Sequence, residues 1–334
     1  MAASIFDPAP PEADCALLEL GRVLRAAGYR HVTVTPATHA RVVRRRPAPA
    51  RSTLADVFGW SRPFIAADLP AGVADLMRRA GVLRADLLRA DGEHGSGLSR
   101  SLVRASTLGE ALYFHSAYPT DDENAVFFGP DTYRFVRALR AELNADATEG
   151  AIGRAADIGC GAGPAAIAIA LHAPGAEVLA LDLNDDALRL TRVNAALAGA
   201  ANLRAVGSDL LKAVDGQFDL IVANPPYLLD PGERAYRHGG GELGAGLSVD
   251  IVQAALGRLA PGGRLLVYTG VAIVDGVDPF LARITPLLGA VKAQWDYEEI
   301  DPDVFGEELD EPQYSPEHGV DRIAAVWLRA QRRT

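Results

Sequence analysis

From about residue 120 onward the chain alternates short apolar runs with amphipathic stretches, and this alternation constrains the fold more than any other feature. Strands are expected near 155–158, 177–181, 203–207, 218–223, 263–268, 294–300 and 322–328, with helices over 131–145, 163–172, 185–198 and 249–259. The run FDLIVA at 218–223 is apolar at nearly every position, so both of its faces must be covered. Strands of that kind, separated by helices, form a parallel sheet with helices on both sides. Ligands of such sheets sit beyond the carboxyl ends of the strands, where the strand order reverses.

The front of the chain is built differently. Leu and Val recur at helical spacing over 16–27, up to Gly28, and short helices are expected near 54–58 and 72–80. The basic, Pro-rich stretch 41–50, with Arg44, Arg45 and Arg46, reads as an exposed loop. Strands are expected near 87–90, 101–106 and 111–116, around a Gly-rich turn at 92–97. Helices followed by a short hairpin suggest a small α+β, winged-helix-like unit. The expected organisation is therefore an N-terminal substrate-recognition domain over 1–118 and an α/β domain over 119–334.

Composition narrows the functional classes. The chain has 334 residues, 49% of them apolar and 23% charged, which suits a globular protein of two domains. There is no run of about 18 apolar residues to span a membrane. Residues 1–10 lack the basic start and apolar stretch of a secretory signal. Cys15 and Cys160 are the only cysteines, too few for a disulfide framework or a thiolate zinc site, so a reducing cytoplasm is the expected home. His115, His172, His238 and His318 are scattered without metal-ligand spacing, and no metal is expected. Residues 1–110 hold 15 Arg, no Lys and 11 acids, whereas the remainder holds 18 basic and 32 acidic residues. A basic front on an acidic body admits an anionic partner such as RNA at the front.

The sharpest local signal is Asp157-Ile-Gly159-Cys-Gly161-Ala-Gly163-Pro, between an expected strand and an expected helix. Closely spaced glycines let backbone turn sharply and approach a ligand. Pro164 breaks the dinucleotide fingerprint, and no Gly-Lys-Ser/Thr follows, so neither a dinucleotide nor a nucleotide-triphosphate loop is indicated. Asp157 would repel a phosphate and suits a cation, such as a ligand carrying an ammonium and a sulfonium. The next strand closes on Asp182 with Asn184 just beyond it, where a carboxylate can accept two hydrogen bonds from ribose hydroxyls. After the third strand, Asp209 is placed to accept from an adenine amino group, and Leu210 offers its backbone N–H to the ring. Glycine turn, ribose acid and adenine acid in this order resemble the class I S-adenosylmethionine methyltransferases from about residue 120 to 330. The resemblance implies a Rossmann-like fold with a mostly parallel seven-stranded sheet, and S-adenosyl-L-methionine as cofactor.

The fourth strand runs directly into Asn224-Pro225-Pro226-Tyr227, which resembles the motif of N-methyltransferases acting on planar nitrogen. A planar amide or exocyclic amine is a poor nucleophile because its lone pair is delocalised. The Asn224 side-chain oxygen and the Pro225 carbonyl can each accept one N–H, which fixes the nitrogen and frees its lone pair. Two prolines stiffen the turn, and Tyr227 can stack on the planar group. Such catalysis is positioning and electrostatics, without a covalent enzyme intermediate. Asn224 is also expected to contact the cofactor.

The wider segment 216–227 is similar to the core of the release-factor glutamine methyltransferases, the HemK group, and the same four residues occur in adenine-N6 and guanine-N2 methyltransferases of RNA and DNA. The segment 128–132 (FGPDT) resembles a family segment beside the cofactor and substrate channel, which implies a cofactor-side role for Thr132. Gly240-Gly241 and Gly246-Leu247 are similar to that family's glycine stretch, although the stretch here, HGGGELGAGL, is longer. The front region and the acidic insert over 301–319 also depart from the family. The insert's Pro, Gly and acid content favours a solvated connection over a lid, with Phe305 and Tyr314 as the residues that would pack a lid. The resemblance implies a protein glutamine as the favoured acceptor, such as one in a translation release factor. The alternatives are adenine N6 or guanine N2 of rRNA or tRNA, a small-molecule amine, and a non-catalytic S-adenosylmethionine-binding module.

Overall fold

The computed structural model describes residues 11–46, 51–85, 97–120, 122–145, 152–230, 232, 234, 236–314 and 319–333. The front region contains α1 (Pro11–Ala26), α2 (Pro36–Arg45), α3 (Leu54–Phe58), β1 (Phe64–Ile65), α4 (Val73–Arg79), β2 (Leu83–Ala85), β3 (Leu98–Ser101), β4 (Val103–Leu108) and β5 (Ala111–Ser116). The helix α1 buries Leu17, Leu20 and Leu24 at helical spacing. A capping box starts α3: Thr53 accepts from the Asp56 N–H, and Asp56 accepts from the Thr53 N–H. Strands β1, β3 and β2 form an antiparallel sheet in that order, and β4 and β5 form a separate hairpin.

Two expectations change here. The basic stretch read as a loop from residue 41 is helical to Arg45. Thr35 caps α2 and Pro36 occupies its first turn, while Arg44 and Arg45 lie in the last turn, where cations suit the helix dipole. The strand expected over 101–106 divides at Leu102 into β3 and β4. The strand expected over 87–90 and, except for Gly97, the turn expected over 92–97 lie outside the described residues, as does His318.

The second region contains α5 (Pro130–Ala145), β6 (Arg154–Ile158), α6 (Pro164–His172), β7 (Glu177–Asp182), α7 (Asp185–Ala198), β8 (Leu203–Gly207), β9 (Phe218–Ala223), α8 (Gly246–Leu256), β10 (Leu259–Val274), α9 (Pro279–Ala290), β11 (Gln294–Asp301) and β12 (Val320–Gln331). Seven strands form one sheet in the order β11-β12-β10-β9-β6-β7-β8. Strands β6 to β10 run parallel, and β12 is antiparallel to both of its neighbours. The order reverses at β6, which pairs with β7 on one side and β9 on the other. Ile158 and Ala223 are register partners there, so the turns that follow β6 and β9 leave the sheet side by side.

Helix α9 was not expected, since its two prolines suggest a break. Pro279 instead takes the first helical position behind the Asp278 cap, and the helix buries Phe280, Ile284 and Leu288 despite Pro286. Leu259, expected to end a helix, begins the 16-residue β10. The front region packs on α7. Arg189 on α7 bonds Asp14 at 2.6 Å, and the buried Asn194 side chain accepts from the Phe114 N–H and donates to the Phe114 and Ala162 carbonyls. No helix among the described residues is long and apolar enough to cross a membrane.

Candidate active site

The turn after β6 holds Gly159, Gly161 and Gly163 at φ of 69°, 54° and 80°. Gly163 is fixed by packing as well, because a Cβ there would lie 2.8 Å from Thr191 Oγ1. At the end of β6, Asp157 is buried, and its Oδ2 accepts from the Ala166 N–H at 3.0 Å in the first turn of α6. Burial, reinforced by the negative charge of Asp182, pushes its carboxyl up to about 7. Asp182 accepts from the Gly161 N–H at 2.9 Å and from the Asn184 N–H at 3.0 Å, which ties the glycine turn to the end of β7. Burial also raises the Asp182 carboxyl above the usual range. Asn184 caps α7 through the Asp186 N–H and donates to the Asn124 carbonyl. Asp209 lies beyond β8, half exposed and paired with Lys212 at 2.5 Å. Leu210 has a left-handed backbone at φ 51°, a conformation that costs about 1–2 kcal/mol for a residue with a side chain.

Beside this turn, β9 delivers Asn224, whose side-chain amide makes no hydrogen bond with any described residue. Tyr227 is 7% exposed, and its phenol donates to Asp131 Oδ2 at 2.5 Å. Tyr268 donates to Asp131 Oδ1 at 2.7 Å, and Arg134 lies 3.2 Å from the same oxygen. Burial raises the Asp131 carboxyl, against the lowering effect of these donors. Gly270 leaves room for the Tyr227 ring, since a Cβ there would fall 2.1 Å from a ring carbon. A Cβ on Gly239 or Gly244 would similarly strike the Tyr227 backbone, so the long glycine stretch packs directly on the Asn-Pro-Pro-Tyr turn. Thr132 Oγ1 accepts from the Gly129 N–H at 3.2 Å and caps the start of α5.

One cavity of about 390 Å³ collects Asp157, Gly159, Gly161, Asp182, Asn184, Asp209, Leu210, Thr132, Asn224, Pro225, Pro226 and Tyr227. Gly163 stays out of its wall and sets the turn from behind. Asp131 also lines it; only its place between Pro130 and Thr132 at a helix start hinted at this, and nothing local marked Tyr268 or Gly270.

The acidic insert is packed against the site, contrary to the solvated connection its composition suggested. Phe305 joins the cavity wall with its ring 6.3 Å from that of Tyr227. Tyr314 is 4% exposed and accepts from the Leu229 N–H at 2.9 Å, and Gln313 donates to the Leu229 carbonyl. Arg237 forms an ion pair with Glu308. Residues that look solvated one by one are held here by partners about 70 to 85 positions away.

The sheet order, with a glycine turn after its first strand and Asn-Pro-Pro-Tyr after its fourth, defines a Rossmann-like fold of the class I methyltransferase type. Residues 135–272 match the family model described as Methyltransferase small domain. Over 168 residues the chain is 38% identical to the release factor glutamine methyltransferase of Deinococcus radiodurans, covering 46% of this chain and 55% of that protein. It is 34% identical over 170 residues to the protein of the same description from Neisseria gonorrhoeae, covering 47% and 60%. It is also 32% identical over 167 residues to the 4-amino-L-phenylalanine/4-methylamino-L-phenylalanine methyltransferase of Streptomyces pristinaespiralis, covering 47% and 57%. The chain thus spans a little over half the length of these curated relatives.

Proposed function

We propose that the protein is an S-adenosyl-L-methionine-dependent N-methyltransferase that methylates a planar amide nitrogen, the favoured acceptor being a glutamine side chain of a protein such as a translation release factor. The observation that carries this reading is the free Asn224 amide at the end of β9, side by side with the glycine turn that follows β6. The residues present fit the cofactor: Asp157 offers a buried carboxylate to a cationic ligand, and Asp182 and Asp209 offer acceptors along the same wall. Bound there, S-adenosyl-L-methionine supplies a methyl group on a positively charged sulfur. Asn224 Oδ1 and the Pro225 carbonyl accept the two N–H groups of the acceptor and hold its nitrogen in place. Asp131 holds Tyr227 by its hydroxyl, and Phe305 narrows the opening beside it. Thr132 stiffens the start of α5 beneath Asp131.

Residues 1–118 serve in this reading as the acceptor-recognition unit, of winged-helix-like build, and 119–334 as the transferase, working in the cytoplasm. A protein acceptor is favoured over an RNA base by the insert, whose Phe305 lines the cavity and whose Asp303, Glu307, Asp310 and Glu311 are exposed and would repel a phosphate backbone. The similarity to the aminophenylalanine enzyme supports a second reading, methylation of a small aromatic amine. The reading is tested by incubating the protein with methyl-labelled S-adenosyl-L-methionine and, separately, a release factor, rRNA and 4-aminophenylalanine, with mass spectrometry of the products. Asn224→Ala is expected to retain cofactor binding by calorimetry and to lose at least about 10²-fold in transfer, on the scale of removing one oriented polar group from a reaction site. Undiminished transfer by that variant refutes the assignment.

A further inference from the structure

We propose that Arg104 and His39 form a buried anion subsite beside the main cavity, sized for one carboxylate oxygen, which receives an acidic group carried by the molecule that occupies that cavity. Arg104, on β4, is 4% exposed. Its Nε donates to the Gly59 carbonyl at 3.0 Å, and one Nη lies 3.4 Å from His31 Nε2. No carboxylate among the described residues pairs with it. Buried cations are almost always paired, because leaving one uncompensated costs several kcal/mol. Around this one stand neutral groups. His31 and His39 are held down to about 4 by burial and by Arg104 itself, and His115 is held well below its ordinary value for the same reasons. The net positive charge therefore stays in place at neutral pH.

The space next to it has room for a ligand atom. Arg104, His39, Thr33, His115 and Tyr118 line a small cavity of about 10 Å³, close to the volume that one oxygen-sized group requires. His39 is 2% exposed, and its Nδ1 has no hydrogen-bond partner. Pro36, Thr120 and Phe127 belong to the walls of both this cavity and the larger one, so the two spaces are neighbours divided by these residues, and an acidic group reaching Arg104 from the larger space has to pass between them. A carboxylate oxygen placed there accepts from Arg104 and neutralises it. A phosphate presents the same charge with greater bulk.

The subsite stands whether or not the transfer reading is right, and it is tested without S-adenosylmethionine. Trp60 packs against both histidines, with ring centroids 5.2 Å from His31 and 5.4 Å from His39, so its fluorescence reports occupancy. The full-length protein is titrated with sodium formate and, in a second arm, sodium phosphate, at constant ionic strength set by a bulky sulfonate. The expected result is a saturable change with formate that Trp60→Phe abolishes and that phosphate matches only weakly. Arg104→Gln should weaken formate binding at least tenfold, while Arg104→Lys, which keeps the charge if the glutamine variant folds poorly, should retain saturable binding at lower affinity. Phosphate binding more tightly than formate transfers the site to phosphate-bearing ligands and overturns the carboxylate assignment. A fluorescence response that is absent, or unchanged in folded Arg104→Gln, shows that the cavity holds water alone and overturns the subsite.

Discussion

Tyr227 donates its phenol proton to Asp131 across 96 positions of sequence, and Tyr268 donates to the other carboxylate oxygen across 137. One buried carboxylate therefore sets both aromatic side chains that back the Asn-Pro-Pro-Tyr turn. Replacing Asp131 with Ala strands two phenols, and each stranded buried group costs about 1–3 kcal/mol. Asp131→Ala should lower the urea midpoint at an unchanged slope. Asp131→Asn should keep the fold and cofactor affinity while slowing transfer by roughly 10²-fold, the penalty for a misplaced positioning group. Single-turnover rates and calorimetry on the two variants separate these effects.

Asp157 makes stability depend on pH. A carboxyl in the unfolded chain releases its proton near 3.8, whereas Asp157 in the fold keeps its proton until about 7. Between those values the native state holds the extra proton, so the contribution of Asp157 is greatest below pH 4 and is lost as pH rises through 7. Asp157→Asn should flatten this part of the profile, read as the difference in urea midpoints at pH 5 and pH 7.5. A cationic ligand favours the ionised form, so its binding should tighten as pH rises through the same window and release a proton. Calorimetry in buffers of different ionisation heat measures that proton.

Gly270 is a contact position for the Tyr227 ring. Gly270→Ala places a methyl 2.1 Å from a ring carbon, and overpacking of this kind costs about 1–3 kcal/mol. The variant should melt lower and lose transfer activity, while cofactor affinity falls much less. Thermal denaturation and calorimetry on the same preparation check both.

Asn194 ties the front hairpin to the glycine turn. Asn194→Ala leaves the Phe114 N–H and the Phe114 and Ala162 carbonyls without their side-chain partner in a buried setting. Amide exchange at Phe114 should accelerate by at least tenfold, and cofactor affinity should fall with the loosened turn. Exchange at β9 should stay close to that of the parent protein.

Phe305 closes the cavity beside Tyr227. Phe305→Ala should raise KM for the acceptor without changing affinity for S-adenosyl-L-methionine, because the ring packs beside that of Tyr227 in the Asn-Pro-Pro-Tyr turn. A change in cofactor affinity alone would place the ring at the other end of the cavity.

Much of the site was legible because its parts are contiguous. The glycines at 159, 161 and 163, the acids that end or follow β6, β7 and β8, and the Asn-Pro-Pro-Tyr turn each carry their chemistry within a few residues. Strand alternation put them all at or beyond the carboxyl ends of strands in one parallel sheet. The insert and the helical character of 41–45 were misread, and the helix α9 was missed, because Pro, Gly and charge report local preference only. Phe280, Ile284 and Leu288 override Pro286 in α9, and long-range partners hold Tyr314 and Glu308.

The amino-acid order alone determined the alternation of β and α, the sharp turn of Gly159 to Gly163, and the proline-stiffened Asn224-Pro225-Pro226-Tyr227 turn. These depend on backbone freedom and side-chain periodicity within short windows. Only the tertiary structure decided that Ile158 and Ala223 are neighbours, that Asp131 meets Tyr227 and Tyr268, and that Arg104 lies buried among imidazoles without an acid. Those relationships depend on which strands pair and which groups lose water, and both are set by contacts between residues far apart in the chain.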